Sequence, residues 1–269
     1  MRGLLIYQPE DLVRNQWFAQ ELCKESAQYG LELLTVTTGQ LLPAFVPDVV
    51  VNRSRDSAIS RHYETMGVRC CNNAAVTEIT NDKWLTHQFL QQHGLPVAET
   101  CLHTQSTPPP PVYPVICKPV DGHGGAGVRL VDSPDAYLRC KEDLPQRFLV
   151  QQPMVFGWDM RIYMLGGTVY AAMLRTSQTD FRSNFSLGGA AEPVLLSAEA
   201  QQLAEQTAAL FSADFVGIDL LRHPQGGYVI GEIEDAVGCR MLYQYTELQP
   251  VRDLAAYLAK KTDTLHGVP

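Results

Sequence analysis

Two strand rhythms share this chain, and their order restricts the folds open to it. Up to about residue 75, short apolar runs alternate with helical spacing. Gly3 to Tyr7 reads as a strand, Val13 to Tyr29 as a helix through Trp17, Phe18, Leu22 and Ala27 that stops at Gly30, and Leu31 to Val36 as the next strand. Val49 to Val51, a helix from Ser57 to Met66, and Val68 to Cys71 repeat the pattern. This alternation predicts a small parallel α/β lobe. From Phe148 onward the apolar runs are separated by tight turns instead. Phe148 to Gln151 is one run, Arg161 to Leu165 and Val169 to Leu174 flank Gly166-Gly167, and Phe215 to Leu221 faces Tyr228 to Glu234 across His223 to Gly227. That is an antiparallel pattern, so the expected class is α/β followed by α+β.

The stretch between the two rhythms carries the glycines and the caps. Thr80, Asn81 and Asp82 can cap a helix through Leu85 and Phe89 that closes at Gly94. Lys83 falls in its first turn, against the helix dipole, where a merely solvated lysine gains nothing. After a stiff spacer at Thr107 to Pro111 come Val115 to Lys118, a loop from Asp121 to Gly127, and Val128 to Val131, read as strand, loop and strand. Ser177 to Leu196 has no period and is expected to be a long functional loop, and Ser197 caps a helix through Phe211.

Composition removes several function classes. The formal charge is −8, the wrong sign for a non-specific nucleic-acid binder. No apolar run reaches the ~18 residues of a membrane span, and Met1 to Gly30 lacks the pattern of a signal peptide. The seven cysteines are irregularly spaced without C-x-x-C, which fits buried thiols in a reducing compartment. A cytoplasmic protein without membrane or nucleic-acid partners is expected, and a homo-oligomer stays open.

Three groups of residues can carry chemistry. Glu232 and Glu234 share one face of a strand, and the hairpin brings Asp219 nearly opposite Glu232. Like charges facing one another destabilise a sheet, and the apolar flanks would desolvate them. A hard divalent ion, Mg²⁺ or Mn²⁺, would relieve the repulsion and complete its shell with water and phosphates. A solvated acidic face is the competing description. The second group is Lys118 with Gly122, Gly124, Gly125 and Gly127, whose backbone amides can approach an anion, although a glycine-rich turn alone would look the same. The third joins Asp180-Phe181-Arg182-Ser183-Asn184 and Gly188-Gly189 to Arg161 and Arg175, guanidinium forks suited to phosphate and carboxylate oxygens. Asn52-Arg53-Ser54-Arg55 offers a further anion contact or a solvated turn.

Read in order, Asn81-Asp82-Lys83, Val115-Ile116-Cys117-Lys118-Pro119 with its glycine loop, Asp159-Met160-Arg161, Asp180 to Asn184 with Gly188-Gly189, Gly217-Ile218-Asp219-Leu220-Leu221 and Glu232-Ile233-Glu234 resemble the ATP-grasp superfamily. Within it the chain is most similar to RimK-type carboxylate–amine ligases, over about residues 75 to 245. The resemblance implies an ATP-grasp fold behind an N-terminal α/β (pre-ATP-grasp) lobe at 1–75. A central subdomain at 76–155 would carry the glycine loop, and a C-terminal one at 156–269 the metal site. By the same resemblance Lys83, Lys118 and the Gly122 to Gly127 loop hold the phosphates of ATP, Gln151, Gln152 and Met154 meet adenine, and Asp159 faces the ribose. Arg182 and Asn184 lie at the reacting phosphate, Arg161 or Arg175 steadies an acyl phosphate, and Asp219, Glu232 and Glu234 hold Mg²⁺.

The implied activity is ligation of a small-molecule or peptide carboxylate to an amine through an acyl phosphate, releasing ADP and phosphate. A small-molecule kinase using the same grip, or a non-catalytic ATP-binding regulator, are the alternatives. The chain departs from the family in four places. Glu234 replaces the usual neutral Asn, which should strengthen the demand for cation toward two ions. Gln151-Gln152 replaces Gln-Glu, Ser186-Leu187 replaces His-Arg, and Asp235 to Arg240 replaces a run of small residues.

Overall fold

The computed structural model describes residues 1–40, 44–122, 124–183 and 188–266, with the backbone alone for 263–266. The first lobe holds β1 (Arg2–Tyr7), α1 (Pro9–Arg14), α2 (Gln16–Gln28), β2 (Glu32–Thr37), β3 (Val49–Asn52), α3 (Ser57–Thr65) and β4 (Arg69–Cys71). Its strands form one parallel sheet in the order β2-β1-β3-β4, and the near-total burial of β1 and β3 matches a sheet covered on both faces. One expectation here is corrected. The single helix from Val13 is two helices, because Pro9 starts α1 at its first turn and the Asn15 side chain donates to the Asp11 carbonyl at 2.8 Å, ending it.

The middle of the chain contributes α4 (Ala74–Thr80), α5 (Lys83–Gln92), β5 (Thr100–Thr104), β6 (Val115–Pro119), β7 (Arg129–Val131), α6 (Pro134–Glu142) and β8 (Arg147–Gln151). Asp82 caps α5 through the amides of Trp84 and Leu85, as its sequence predicts. The antiparallel strands run β5-β8-β6-β7, so β8 belongs to this sheet and not to the hairpins that follow it.

The last part is β9 (Trp158–Leu165), β10 (Thr168–Thr176), β11 (Ala190–Pro193), α7 (Ala198–Phe211), β12 (Phe215–Arg222), β13 (Tyr228–Glu234), α8 (Arg240–Tyr245) and α9 (Pro250–His266). Its antiparallel sheet is ordered β11-β10-β9-β12-β13. The predicted long loop thus contains an edge strand, β11, whose residues are mostly exposed and end at Pro193, as suits an edge. One face of the sheet buries Ile162, Met164, Ile218 and Leu220 against Leu203 and Ala204 of α7 and Leu90 of α5. The opposite face packs Tyr163 and Met173 into a core shared with Leu22 of α2 and Leu254 and Leu258 of α9, which ties the last lobe to the first. No helix among the described residues is long and apolar enough to cross a membrane.

Candidate active site

Register places the charged residues. Asp219 lies opposite Arg161 on one side and Glu232 on the other, while Glu234 lies opposite Gly217 and Asp159 opposite Arg175. Opposed residues project to the same side, so β9, β10, β12 and β13 present one polar face. The alignment depends on a bulge. Leu220 pairs with Ile230, but Asp219 pairs with Glu232, leaving Gly231 as the extra residue. Gly231 also lets Ile230 and Ile233, three apart, enter the same apolar core, and that odd spacing was the sequence signal for the bulge.

The carboxylates are not left facing one another. Arg161 donates Nε to Asp219 Oδ1 at 2.7 Å and Nη2 to Oδ2 at 2.6 Å, while its Nη1 reaches Glu234 Oε2 at 2.7 Å. Arg175 adds Nη2 to Asp219 Oδ2 at 2.7 Å and is bound to Asp159. Lys83 Nζ meets Glu232 Oε1 at 2.9 Å and also donates to the Gly122 carbonyl. The repulsion that a divalent ion was expected to relieve is thus already relieved by arginine and lysine. The added charge of Glu234 is answered by Arg161 in the same way. Burial opposes ionisation of Asp219, but Arg161 and Arg175 together outweigh it and hold the carboxyl at about 2. Burial raises Asp159 and Glu234 above the usual carboxylate range.

A cleft of about 930 Å³ opens over this face. Ile116, Met154, Phe156 and Leu221 give it an apolar part, and Lys83, Lys118, Arg182, Asp219 and Glu232 a charged part. Gly122, Gly125, Gln151, Gln152 and Asp159 also line it. Lys118 donates to Gln151 Oε1 at 3.0 Å, and burial with the nearby Lys83 charge lowers its ammonium to about 8 against the pull of Glu232. Arg182 binds Asp180 through Nε and Nη2 at 3.1 and 2.7 Å and reaches the Gly125 carbonyl at 3.1 Å, linking the arginine loop to the glycine loop.

The structure divides the remaining predicted residues. Gly124, Arg161, Arg175 and Glu234 line a second cavity beside the cleft, and Gly127 packs on Pro119. Asn184, with His123, lies outside the described residues. Two participants were missed. Ser183 donates Oγ to Asp159 Oδ2 at 2.6 Å, and Gly157 joins the strand to the arginine loop through Gly157 N to Phe181 O at 2.8 Å. Ser183 stood inside a conspicuous motif, whereas Gly157 gave no local signal. Arg53 is neither a solvated turn nor an open anion contact: it is buried and donates to the Ala236 and Val237 carbonyls at 2.9 and 3.1 Å. Arg55 is paired with Asp11.

Among the described residues no three His, Cys, Asp or Glu side chains form a ready metal cage. The donor chemistry nonetheless suits a hard cation. Lys83 uses Oε1 of Glu232 and Arg161 uses Oε2 of Glu234, so one oxygen of each lies outside these pairs.

Three sheets with a charged cleft between the last two define an ATP-grasp fold. The model of the RimK-like ATP-grasp domain matches residues 80–258, and the chain belongs to that family. Among curated relatives, it is 29% identical over 222 residues to "Probable alpha-L-glutamate ligase" of Pasteurella multocida, covering 78% of this chain and 71% of that protein. It is 33% identical over 224 residues to "Beta-citrylglutamate synthase B" of Danio rerio, covering 78% and 55%. The solved ATP-grasp ligase PsnB, complexed with a phosphomimetic precursor variant, Mg and ADP, superposes with a TM-score of 0.72 at 19% identity over 97% of this chain and 98% of that one. The protein is an ATP-dependent, amide-forming ligase.

Proposed function

We propose that this ligase activates a small-molecule or peptide carboxylate as an acyl phosphate and transfers the acyl group to an amine. The carrying observation is the cleft in which Lys83, Lys118, Arg182, the glycine loop, Asp219 and Glu232 meet beside an apolar pocket. Adenine would occupy the pocket near Met154 and Phe156, with the Gln151–Met154 backbone along its edge. Lys83, Lys118 and the glycine-loop amides would hold the phosphates, and Arg182 would stand at the transferred group. Mg²⁺, one or two ions, would be held by Asp219, Glu232 and Glu234 and would supply neutralisation of phosphate charge.

In the first step a carboxylate oxygen attacks the γ-phosphorus, the bond to the β,γ-bridging oxygen breaks, and ADP leaves. In the second the amine attacks the acyl carbon and inorganic phosphate departs, while the amine's proton passes to solvent. Phosphoryl transfer depends mainly on alignment and charge, which fixed lysines and arginines provide. Arg161, held by Asp219 and Glu234, would face the acyl phosphate from the second cavity. Asp159 would position Arg175 and Ser183, since its two oxygens are directed to them. A cytoplasmic location accords with seven free cysteines.

The test is ADP release across a matrix of amino acids and short peptides, with hydroxylamine added to trap the acyl group. ADP with a hydroxamate supports the mechanism. AMP with pyrophosphate, or ADP release indifferent to every amine, overturns it.

A further inference from the structure

Cys117 stands on the back of the strand that carries Lys118. Side chains alternate along β6, so Ile116 and Lys118 line the nucleotide cleft while Val115 and Cys117 enter the apolar cluster on the other face. α6 covers that face. Tyr137 belongs to the same cluster, and Cys140, three residues on along the helix, packs against it. Cys117 is fully buried and Cys140 half-buried, and their thiols face each other closely enough for Cys117 to donate to a Cys140 thiolate. Register adds a cation, since Arg129 on β7 lies opposite Cys117 and projects to the same face.

The Cys117 thiol, with Arg129, outweighs burial and holds Cys140 at about 7, while the same contact and burial raise Cys117. The thiolate is the attacking form, and exchange favours a thiol whose pKa lies near the ambient pH. Cys140 is therefore the nucleophile and the buried Cys117 its resolving partner. A disulfide sets two sulfurs about 2 Å apart, well inside the contact distance of two thiols. α6 cannot supply all of that approach, because the Tyr137 hydroxyl is hydrogen-bonded to His103 Nδ1 at 2.8 Å and Lys141 Nζ donates to the Thr107 carbonyl at 2.7 Å. The remainder falls on β6, where Lys118 is the next residue.

We propose that Cys117 and Cys140 form a redox site that a low-molecular-weight disulfide oxidises, and that the bond between them weakens ATP binding by displacing Lys118. The Cys140 thiolate attacks one sulfur of the external disulfide, whose S–S bond breaks and releases a thiolate. Cys117 then gives up its proton, attacks the Cys140 sulfur of the mixed disulfide and expels the second thiolate, which takes that proton. The protein loses two electrons and the external disulfide gains them, so an excess of reduced thiol reverses the reaction. The effect on ATP rests on the ligase reading above, which gives Lys118 the phosphates, whereas formation of the disulfide does not.

The experiment treats the full chain with oxidised glutathione and then with excess reduced glutathione, mapping the thiols in each state by alkylation and mass spectrometry. Calorimetry with a non-hydrolysable ATP analogue and Mg²⁺ follows each state. A peptide pair linking Cys117 to Cys140 is expected, with affinity for the analogue about tenfold or more weaker and restored on reduction. Cys140→Ser should stay unlinked and keep its affinity in the oxidant, and Cys117→Ala should hold glutathione on Cys140 as the mixed disulfide. Modification confined to the exposed Cys101, without the linked pair, overturns the proposal. So does a loss of affinity in oxidised Cys140→Ser equal to that of the wild type, or a linked protein of unchanged affinity when Lys118→Met weakens binding by the reduced protein. If Lys118→Met binds the analogue as tightly as the reduced wild type, the phosphate role of Lys118 falls, and the linked pair alone sustains the redox site.

Discussion

Arg161 grips Asp219 with two parallel hydrogen bonds inside the sheet, and both side chains are about 92% buried. A buried pair of this kind contributes little net stability, yet removing one member leaves an uncompensated charge. Asp219→Asn should therefore cost on the order of 3 kcal/mol, a Tm fall of about 5–10 °C. Glu232, whose side chain is 26% exposed and, among the described residues, paired with Lys83, should tolerate Glu232→Gln within about 1 kcal/mol. Both variants should lose about 100-fold or more in turnover. Differential scanning calorimetry with ADP assays checks this, and a Glu232→Gln protein with full activity would remove Glu232 from the metal set.

Lys118 gives a pH signature. Burial, helped by Lys83, lowers its ammonium to about 8 in the nucleotide-free protein. ATP needs the charged form, so affinity should be flat below pH 8 and fall toward tenfold per pH unit above it. Binding near pH 8.5 should take up protons, measurable by calorimetry in buffers of different ionisation enthalpy. The stability sign is opposite: the charged lysine disfavours folding below pH 8, and the penalty fades as pH rises from 8 toward 10.5. Lys118→Met should consequently raise Tm at pH 7 while weakening ATP binding. A dissociation constant independent of pH from 7 to 9.5 would exclude the contact.

Much of the site was legible because it is local. The hairpin joining β12 to β13 can be traced from its turn residues, so Asp219 and Glu232 could be set side by side without coordinates. The bulge at Gly231 could not be placed from turn residues alone, although Ile230 and Ile233 record it. What compensates the acids was hidden for a different reason. Arg161 and Asp219 are 58 residues apart and meet only because β9 inserts between β10 and β12, a strand order that periodicity does not encode. Similarly, Val13 to Tyr29 has one apolar face, and only the Asn15 side chain bonding back to Asp11 divides it.

Gly157 anchors the arginine loop. It sits at φ +59, its amide bonds to Phe181 O, and its carbonyl receives Ser177 N at 2.9 Å. A Cβ there would stand 2.1 Å from the Ser177 carbonyl oxygen, so the loop must move. Gly157→Ala should cost about 1–3 kcal/mol and lower kcat by roughly tenfold or more by displacing Arg182. Limited proteolysis should show new cleavage between residues 177 and 183. Unchanged kcat with an unchanged cleavage pattern would mean the loop does not depend on this anchor.

Arg53 joins the first lobe to the segment behind Glu234. Its guanidinium lies 4.2 Å from the Phe18 ring centre and donates to the Ala236 and Val237 carbonyls, just before the residues that line the second cavity. Arg53→Met preserves much of the packing on Phe18 but leaves two carbonyls without their donor, at a cost of about 2–4 kcal/mol. Since Gly238 to Arg240 continue from this anchor and line the second cavity with Arg161, the Michaelis constant for the acid or the amine should rise more than that for ATP. Arg53→Lys keeps the charge but not the fork, so it should fall between the two. Calorimetry fixes the stability term, and initial rates with each substrate varied in turn separate the two constants. Equal rises in both would make Arg53 a general stabiliser of the fold, and no rise in either would break the connection between lobe and cavity.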